Sequence, residues 1–307
     1  MVSWHEYMKT RIEGREKGIP WFLHDKLSCF DWSERLGFPI PYIYDVFDDP
    51  SLIRVNGNLS SFVLKPTKFS STRGVMLLER SKSKLYDSMS KKMFSAEGVI
   101  EFQRGLSKRF PVSGNKWIIE ERISDGDGRD IPLDFKAYSF RGHVELFLVI
   151  DRSTSPMSVA WFDCDLLPIN SRDISLNPKY VQKLEGLVLD SYPELVQLAS
   201  KVSAAVNTPF SRIDLYNSAR GPLLGEVTLT PGGLYYGDHY RMSSAMDQLM
   251  GSRWLLSELE LAESRDVLAR LAYGSVFSKC SGSEQNNVNR VMNFPYLLGR
   301  ALDPSVR

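Results

Sequence analysis

The sequence is short of the residues from which disulfide frameworks and metal-binding modules are built. Its 307 residues include three cysteines and four histidines. Cys29, Cys164 and Cys280 are odd in number and widely spaced, which argues against a disulfide framework or a zinc motif and predicts reduced thiols. The histidines have no metal-ligand spacing with one another. The sequence also shows no arrangement of a nucleophile with a neighbouring base.

Long apolar runs and an excess of charge of one sign are also missing. The longest obvious apolar run, residues 146–150, is too short to span a bilayer, and residues 1–14 lack the apolar stretch of a secretory signal. Lys and Arg total 38 while Asp and Glu total 37, so no global field attracts nucleic acid or a membrane. These observations predict a cytoplasmic globular protein with no transmembrane segment and no nucleic-acid partner.

The hydrophobic pattern predicts helices mixed with antiparallel hairpins. Residues 1–50 have helical character at first and become turn-rich, and Trp4, Trp21 and Trp32 are expected to pack this N-terminal lobe. Further on, strands are predicted at 61–65, 75–78, 117–123, 134–140, 144–150 and in a hairpin that begins at 211, with helices at 96–110, in two pieces within 178–206, and at 242–272. The fold class is therefore α/β (α+β) without a regular series of βαβ units.

One predicted hairpin, residues 211–230, has two carboxylates on the same face. Alternation places Arg212 and Asp214 on one face of the first arm and Glu226 and Thr228 on one face of the second. If the polar faces coincide, Asp214 lies opposite Glu226, where like charges are destabilising. A divalent cation would remove the repulsion, and Mg²⁺ suits carboxylates that act together with nucleotide phosphates. Thr228 could then supply a third, weaker oxygen ligand.

Two other interpretations of this hairpin stay open at this point. A shifted register would keep the two acids apart on a solvent-facing surface. Alternatively, the neighbouring guanidinium of Arg212 would neutralise the pair without a metal.

Six ordered segments together resemble the ATP-grasp superfamily, and most closely its teichuronopeptide-biosynthesis-like (TupA-like) branch. They span roughly residues 25–255 and are SFVLKP (61–66), WIIEE (117–121), DFKAYSF (134–140), IDR (150–152), RIDLY (212–216) and GEVT (225–228). The resemblance implies the ATP-grasp fold, in which two α/β subdomains clasp ATP, with Mg²⁺ at the phosphates.

The resemblance also implies roles for individual residues. Lys65 and Lys136 would contact the phosphates, and Ser71 and Gly74 belong to a small-residue loop that has fewer glycines than the family pattern. Glu120 or Glu121 would bind the adenine edge or the ribose. The remaining roles are the metal ligands Asp214, Glu226 and Thr228 and the catalytic residues Arg152 and Arg212, which would contact the acyl phosphate or its oxyanion.

The function that follows is ATP-dependent carboxylate–amine ligation through an acyl phosphate, acting on a small carboxylate and an amine such as an amino acid or peptide. The branch suggests specialised metabolites or cell-surface polymers as the products. A kinase acting on a hydroxyl and a non-catalytic nucleotide-binding protein are the alternatives, and a homodimer is one option for the assembly.

Four segments are predicted along the chain. Residues 1–60 form an N-terminal lobe, 61–122 the lid subdomain, 123–255 the catalytic and metal subdomain, and 256–307 a helical extension.

Overall fold

The structure is a computed structural model that describes residues 3–55, 57–69, 72–188 and 192–277, with side chains described as far as residue 265. Met1–Leu261 form one compact unit and Ala262–Arg307 a second, which contains the last part of the final helix. Both large sheets and the site lie in the first unit. None of the helices in the described ranges has the length and apolar character that a membrane span requires.

The described residues contain α-helices, strands and two short 3₁₀ helices at Trp21–His24 and Pro50–Leu52. The helices are α1 (Trp4–Ile12), α2 (Lys26–Arg35), α3 (Ala96–Arg109), α4 (Pro193–Ala205), α5 (Gly232–Tyr236) and α6 (Ser244–Phe277). The strands are β1 (Ile43–Phe47), β2 (Ser61–Pro66), β3 (Met76–Ser81), β4 (Lys84–Asp87), β5 (Lys92–Phe94), β6 (Trp117–Glu120), β7 (Asp134–Phe140), β8 (His143–Asp151), β9 (Met157–Asp163), β10 (Ile174–Leu176), β11 (Val181–Lys183), β12 (Ser211–Ser218), β13 (Gly221–Thr228) and β14 (Tyr240–Met242).

The strands form two six-stranded sheets and one small ribbon. The first sheet has the order β1-β6-β2-β3-β4-β5 and is antiparallel throughout. The second has the order β11-β9-β8-β7-β12-β13, with a parallel pairing only between β9 and β11. Strands β10 and β14 pair separately. The mixed α/β class predicted from the sequence is confirmed.

The two faces of the second sheet differ because residues alternate along each strand. Phe135 and Ala137 of β7 face a core that includes α4. Tyr138 faces the opposite way, into an aromatic core to which α1 contributes Trp4 and α6 contributes Trp254. Lys136 shares this second face two residues before Tyr138, and it lines a cleft. One sheet face therefore changes from aromatic to charged along its length.

Several predicted elements are confirmed. The hairpin at 211 is β12–β13, the hairpin at 134 is β7–β8, the helix at 96 is α3 and the helix at 242 is α6. Strand β6 ends at Glu120, before its predicted end. The described cysteines, Cys29 and Cys164, are free thiols as expected, and Cys280 lies outside the described residues.

The helix predicted at the start of 178–206 is wrong for the residues that the structure describes. Val181–Lys183 form β11, which pairs with β9. Val181, Leu184 and Leu187 have helix-like spacing, but all three contact cores as parts of extended chain, and Gly186 has a positive φ of 72° that a helix does not allow. The second predicted helix is α4, which Pro193 opens in its first turn.

Candidate functional site

A cleft with a volume of about 650 Å³ lies between the two large sheets. Its walls include β2, β3 and β6 on one side and β7, β8, β12 and β13 on the other. Its lining includes apolar side chains, among them Val63, Leu77, Ile123 and Ile131, together with many charged ones. The volume is in the range of small-molecule and cofactor sites, about 300–1,000 Å³.

The first sheet contributes a buried ion pair to the cleft. Lys65 Nζ lies 2.6 Å from Glu120 Oε1 and 5.0 Å from the centre of the Phe30 ring. The second carboxylate oxygen of Glu120 is buried and has no hydrogen-bond partner within the described chain. A buried acceptor without a donor is costly, so this oxygen suits a ligand that brings an N–H or O–H group, such as an amino group or a sugar hydroxyl.

Glu121 also lines the cleft, but its carboxylate already has protein partners. It accepts a hydrogen bond of 2.7 Å from Arg220 and one of 3.1 Å from the backbone N–H of Tyr42. Burial opposes its ionisation, but the hydrogen bonds from Arg220 and from the Tyr42 N–H, together with the charge of Arg220, outweigh burial and lower the pKa of Glu121. Of the two acids that the sequence left as alternatives, the geometry favours Glu120 as the free acceptor.

The predicted loop residues fall outside the cleft or outside the described chain. Ser71 belongs to the residues that the structure does not describe. Gly74 has a φ of 76°, and a Cβ there would come within 2.8 Å of Pro66 Cγ. Its carbonyl accepts a 2.8 Å hydrogen bond from Gln103. Gly74 therefore packs beside α3, and its neighbours Thr72 and Val75 line the cleft instead.

Asp214 is the central charged residue that the second sheet contributes to the cleft. It is directly opposite Lys136 of β7 and directly opposite Glu226 of β13, so the predicted pairing of Asp214 with Glu226 is confirmed. Asp214 accepts hydrogen bonds of 2.6 and 2.8 Å from Nε and Nη2 of Arg212, and a further short one from Lys136 Nζ. Its charge is thus neutralised by protein cations, as the interpretation based on Arg212 expected.

Asp134 extends this charged row toward β8. It contacts Lys136 Nζ at 2.9 Å and Arg152 Nη2 at 2.9 Å. Burial would favour the protonated acid, but the charges of Lys136 and Arg152 hold the pKa of Asp134 at about 2. The contacts form one continuous network of salt bridges, which brings three predicted cations together; its members in order are Arg152, Asp134, Lys136, Asp214 and Arg212.

Glu226 differs from its neighbours in the row. In the described part of the chain its carboxylate forms neither a hydrogen bond nor an ion pair, although it lines the cleft. A β-bulge precedes it, since Asp214 pairs with Glu226 while Leu215 pairs with Leu224. Bulges change the direction of side chains. Gly225 is required there because a Cβ would lie 2.6 Å from the ring of Tyr216.

The carboxylate pair fits a magnesium ion that is bound jointly with a nucleotide. Thr228 Oγ1 accepts a 2.9 Å hydrogen bond from Arg212 Nη2, so it lies beside a cation. Among the described residues no three His, Cys, Asp or Glu side chains form a cluster that could hold a metal. Two carboxylates are nevertheless enough for Mg²⁺, which uses one or two of them together with phosphate oxygens and water.

Lys26 is a cleft cation that the sequence analysis missed. It lies in the first turn of α2, which Asp25 caps by accepting the N–H of Ser28. Its Nζ donates to the carbonyl of Phe69 at 3.0 Å, and burial lowers the pKa of Lys26. No local spacing connects a lysine of this helix with residues 200 positions away, so the pattern offered little signal beyond its place just after a helix cap.

A family model described as TupA-like ATPgrasp matches residues 9–255. A probable alpha-L-glutamate ligase of Cellvibrio japonicus (strain Ueda107) is 26% identical over 211 residues, which are 68% of this chain and 56% of that protein. The chain thus spans little more than half the length of this curated relative.

Similar solved structures include three ligases or synthetases. The ATP-grasp ligase PsnB with a minimal precursor has 11% identity and a TM-score of 0.42, covering 78% of this chain and 62% of that one. The D-cycloserine synthetase DcsG has 14% identity and a TM-score of 0.44, covering 78% and 71%. D-alanine–D-alanine ligase from Bacillus anthracis with ATP has 13% identity and a TM-score of 0.42, covering 80% and 68%.

Proposed function

The chain belongs to the TupA-like ATP-grasp family, and from this premise we propose that it is an ATP-dependent carboxylate–amine ligase. Its cofactors are ATP and Mg²⁺, as in the family. The observation that supports the proposal most is the cleft itself, where Lys65 of one sheet and the Lys136–Asp214–Glu226 row of the other line a single space. Phosphoryl transfer needs cations and metal ligands more than an acid–base pair.

The nucleotide would lie in this cleft. Its base suits apolar lining residues such as Val63 and Ile131, and the free oxygen of Glu120 suits the adenine amino group or the ribose. Lys65, Lys136 and the newly found Lys26 would contact phosphate oxygens, since ammonium groups form charge-assisted hydrogen bonds with them. Asp214 and Glu226 would hold Mg²⁺, which supplies charge neutralisation at the phosphates.

The reaction would proceed in two steps. A substrate carboxylate oxygen attacks the γ-phosphorus of ATP, and the bond between that phosphorus and the oxygen bridging to the β-phosphate breaks. ADP leaves, and the substrate becomes an acyl phosphate. An amine then attacks the acyl carbon, loses a proton, and expels inorganic phosphate as the amide forms. Arg152 and Arg212 would stabilise the acyl phosphate and the oxyanion that follows it.

We further propose the finer assignments that the sequence suggested. The substrates would be a small carboxylate and an amino acid or peptide amine, in the making of a specialised metabolite or cell-surface polymer. The enzyme would act in the cytoplasm, with residues 61–122 and 123–255 as the two clasping subdomains and a homodimer as one option for its assembly.

Trapping with hydroxylamine tests the reaction class. The wild-type protein, incubated with ATP, Mg²⁺ and pools of carboxylic acids and amines, is expected to release ADP with one pool. Adding hydroxylamine should then give a hydroxamate, because it attacks the acyl phosphate, and the product formed without it should contain no phosphorus. Mass spectrometry identifies both. A stable phosphorylated alcohol would instead contradict ligation and support the kinase alternative.

Removing single lysines tests where the phosphates lie. Lys65→Met and Lys136→Met keep the apolar stem but lose a charge-assisted hydrogen bond, about 1.5–3 kcal/mol. Calorimetric titration should show ATP binding weakened about ten- to a hundred-fold in each variant.

Adenosine is the matched control, because it has no phosphate and its affinity should hardly change. Melting curves control for stability, since the Lys65 variant leaves Glu120 without its ion pair. If both variants bind ATP as well as the wild type does, the phosphates lie elsewhere.

A further inference from the structure

Most of the hydrogen-bonding capacity of Asp214 is already used. An ionised carboxylate has about four lone-pair positions. Arg212 occupies one on each oxygen, and Lys136 occupies a second position on Oδ2. Glu226, directly across the β12–β13 pair, has no such partner in the described chain. The two carboxylates assigned to the metal are therefore unequal, since one is free and the other is largely occupied.

The charges around the pair are also balanced without a metal. Asp214, Glu226 and Asp134 contribute three negative charges, and Arg212, Lys136 and Arg152 contribute three positive ones, of which Arg212 and Lys136 pair with Asp214. A divalent ion that enters this arrangement gains little net attraction and must compete with Lys136 for Asp214. We therefore expect the nucleotide-free protein to bind divalent cations weakly.

Lys136 is the partner that can leave. An ammonium group is a point charge on a flexible stem, whereas a guanidinium that donates two N–H groups to one carboxylate is fixed in direction. Arg212 is fixed further by Thr228. Asp134, the other partner of Lys136, keeps Arg152 when the lysine moves. Moving Lys136 toward the cleft therefore leaves neither aspartate without a cation.

We propose that Lys136 exchanges Asp214 for a nucleotide phosphate, and that this exchange couples nucleotide binding to the binding of the divalent cation. The inference rests on the proposed function, because it needs ATP in this cleft. When Lys136 contacts a phosphate oxygen, Asp214 regains a free lone-pair position and the Asp214–Glu226 pair regains a net negative charge. By reciprocity, the cation then favours the nucleotide by the same factor.

The test measures cation binding without nucleotide, with Mn²⁺ as the probe, since carboxylates suit Mn²⁺ as they suit Mg²⁺. Free Mn²⁺ is quantified by electron paramagnetic resonance during titration of wild type and of Lys136→Met. Lys136→Met removes the ammonium group that competes with Mn²⁺ for Asp214. Its Mn²⁺ affinity without nucleotide is expected to be about tenfold higher than that of the wild type, whereas its ATP affinity is expected to be lower. The two effects have opposite signs, which general damage to the site would not produce.

Two controls locate the effect. Lys65→Met removes a cleft lysine whose ion pair is with Glu120 and not with Asp214, so its Mn²⁺ affinity should equal that of the wild type. The double variant Lys136→Met with Asp214→Asn should not show the increase in Mn²⁺ affinity that Lys136→Met shows alone. Lys136→Gln, which keeps a hydrogen-bond donor but no charge, is expected to bind Mn²⁺ more tightly as well, and it serves if the methionine variant does not fold.

The outcomes separate the two proposals. If wild type binds ATP while the Lys136 variants bind Mn²⁺ no better than wild type, the exchange is overturned and the proposed function stands. If the Mn²⁺ affinity of Lys65→Met rises as much as that of Lys136→Met, the increase comes from the loss of any positive charge in the cleft, and the exchange is again overturned. If wild type binds no ATP, the proposed function fails, and the exchange fails with it.

Discussion

Replacing Glu226 with glutamine is expected to lower ATP turnover by about a hundred- to a thousand-fold, the loss that follows removal of one preorganised electrostatic group. Glu226 is the carboxylate that forms no hydrogen bond or ion pair with a described residue, and it lies opposite Asp214 in the cleft. Because it has no protein partner to lose, the melting temperature should stay near that of the wild type. Turnover is measured as ADP release with the pool of acids and amines that supports the wild type.

Asp214→Asn provides the comparison. It should lose as much turnover, but it should also be less stable, since Arg212 and Lys136 lose a charged acceptor. Thermal unfolding of the two variants separates loss of metal binding from loss of structure. Full Mg²⁺-dependent turnover in Glu226→Gln would remove Glu226 from the metal site.

Replacing Arg11 with methionine is expected to destabilise the protein by about 3–5 kcal/mol, the cost of breaking a buried ion pair by removal of one partner. The Arg11 side chain is fully buried. It donates to Glu16 at 2.7 Å, to Thr208 at 2.8 Å and to the carbonyls of Phe210 and Leu229 at 2.8 and 3.0 Å. All four acceptors lose a donor in the variant. Urea unfolding measures the change in free energy.

Arg15→Met is the matched control, because Arg15 is an exposed arginine that also pairs with a glutamate, Glu13. Exposed pairs contribute about 0–1 kcal/mol, so this variant should unfold close to the wild type. Equal stability of the two variants would show that the Arg11 network contributes little.

The parts of the site that follow from local alternation could be predicted from the sequence. In β12 and β13 the polar residues recur at every second position, and this alternation predicted that Asp214 and Glu226 lie on the same face. The bulge at Gly225 shifts the pairing by one residue, but it lies between Glu226 and the hairpin turn, so Asp214 and Glu226 still pair directly. Lys136, in contrast, was assigned from the resemblance of the segment DFKAYSF to the family, in which a basic residue at this position is directed at phosphates.

Features that depend on contacts distant in sequence could not be predicted in this way. Lys26 reaches the cleft because α2 packs near the loop after β2, and its carbonyl acceptors lie about 40 residues away. The three tryptophans assigned to one N-terminal lobe show the same limit. Trp4 packs against Phe210 and Tyr138 of the second sheet's region, whereas Trp21 is largely exposed. Composition and spacing contain no information on these partners.

The helix α1 has a consequence for how the chain folds as it is made. Arg11 finds its carbonyl partners 199 and 218 residues further along, and Trp254 stacks beneath its guanidinium at 4.3 Å. Contacts of such separation raise the contact order and slow folding, because loop-closure entropy must be lost before they form. A ribosome adds about 5–20 residues per second, so the first helix waits on the order of ten seconds or more for its partners. During that interval Trp4 and Met8 lack the core residues that they contact in the folded protein, so α1 exposes apolar side chains to other chains while the rest is made.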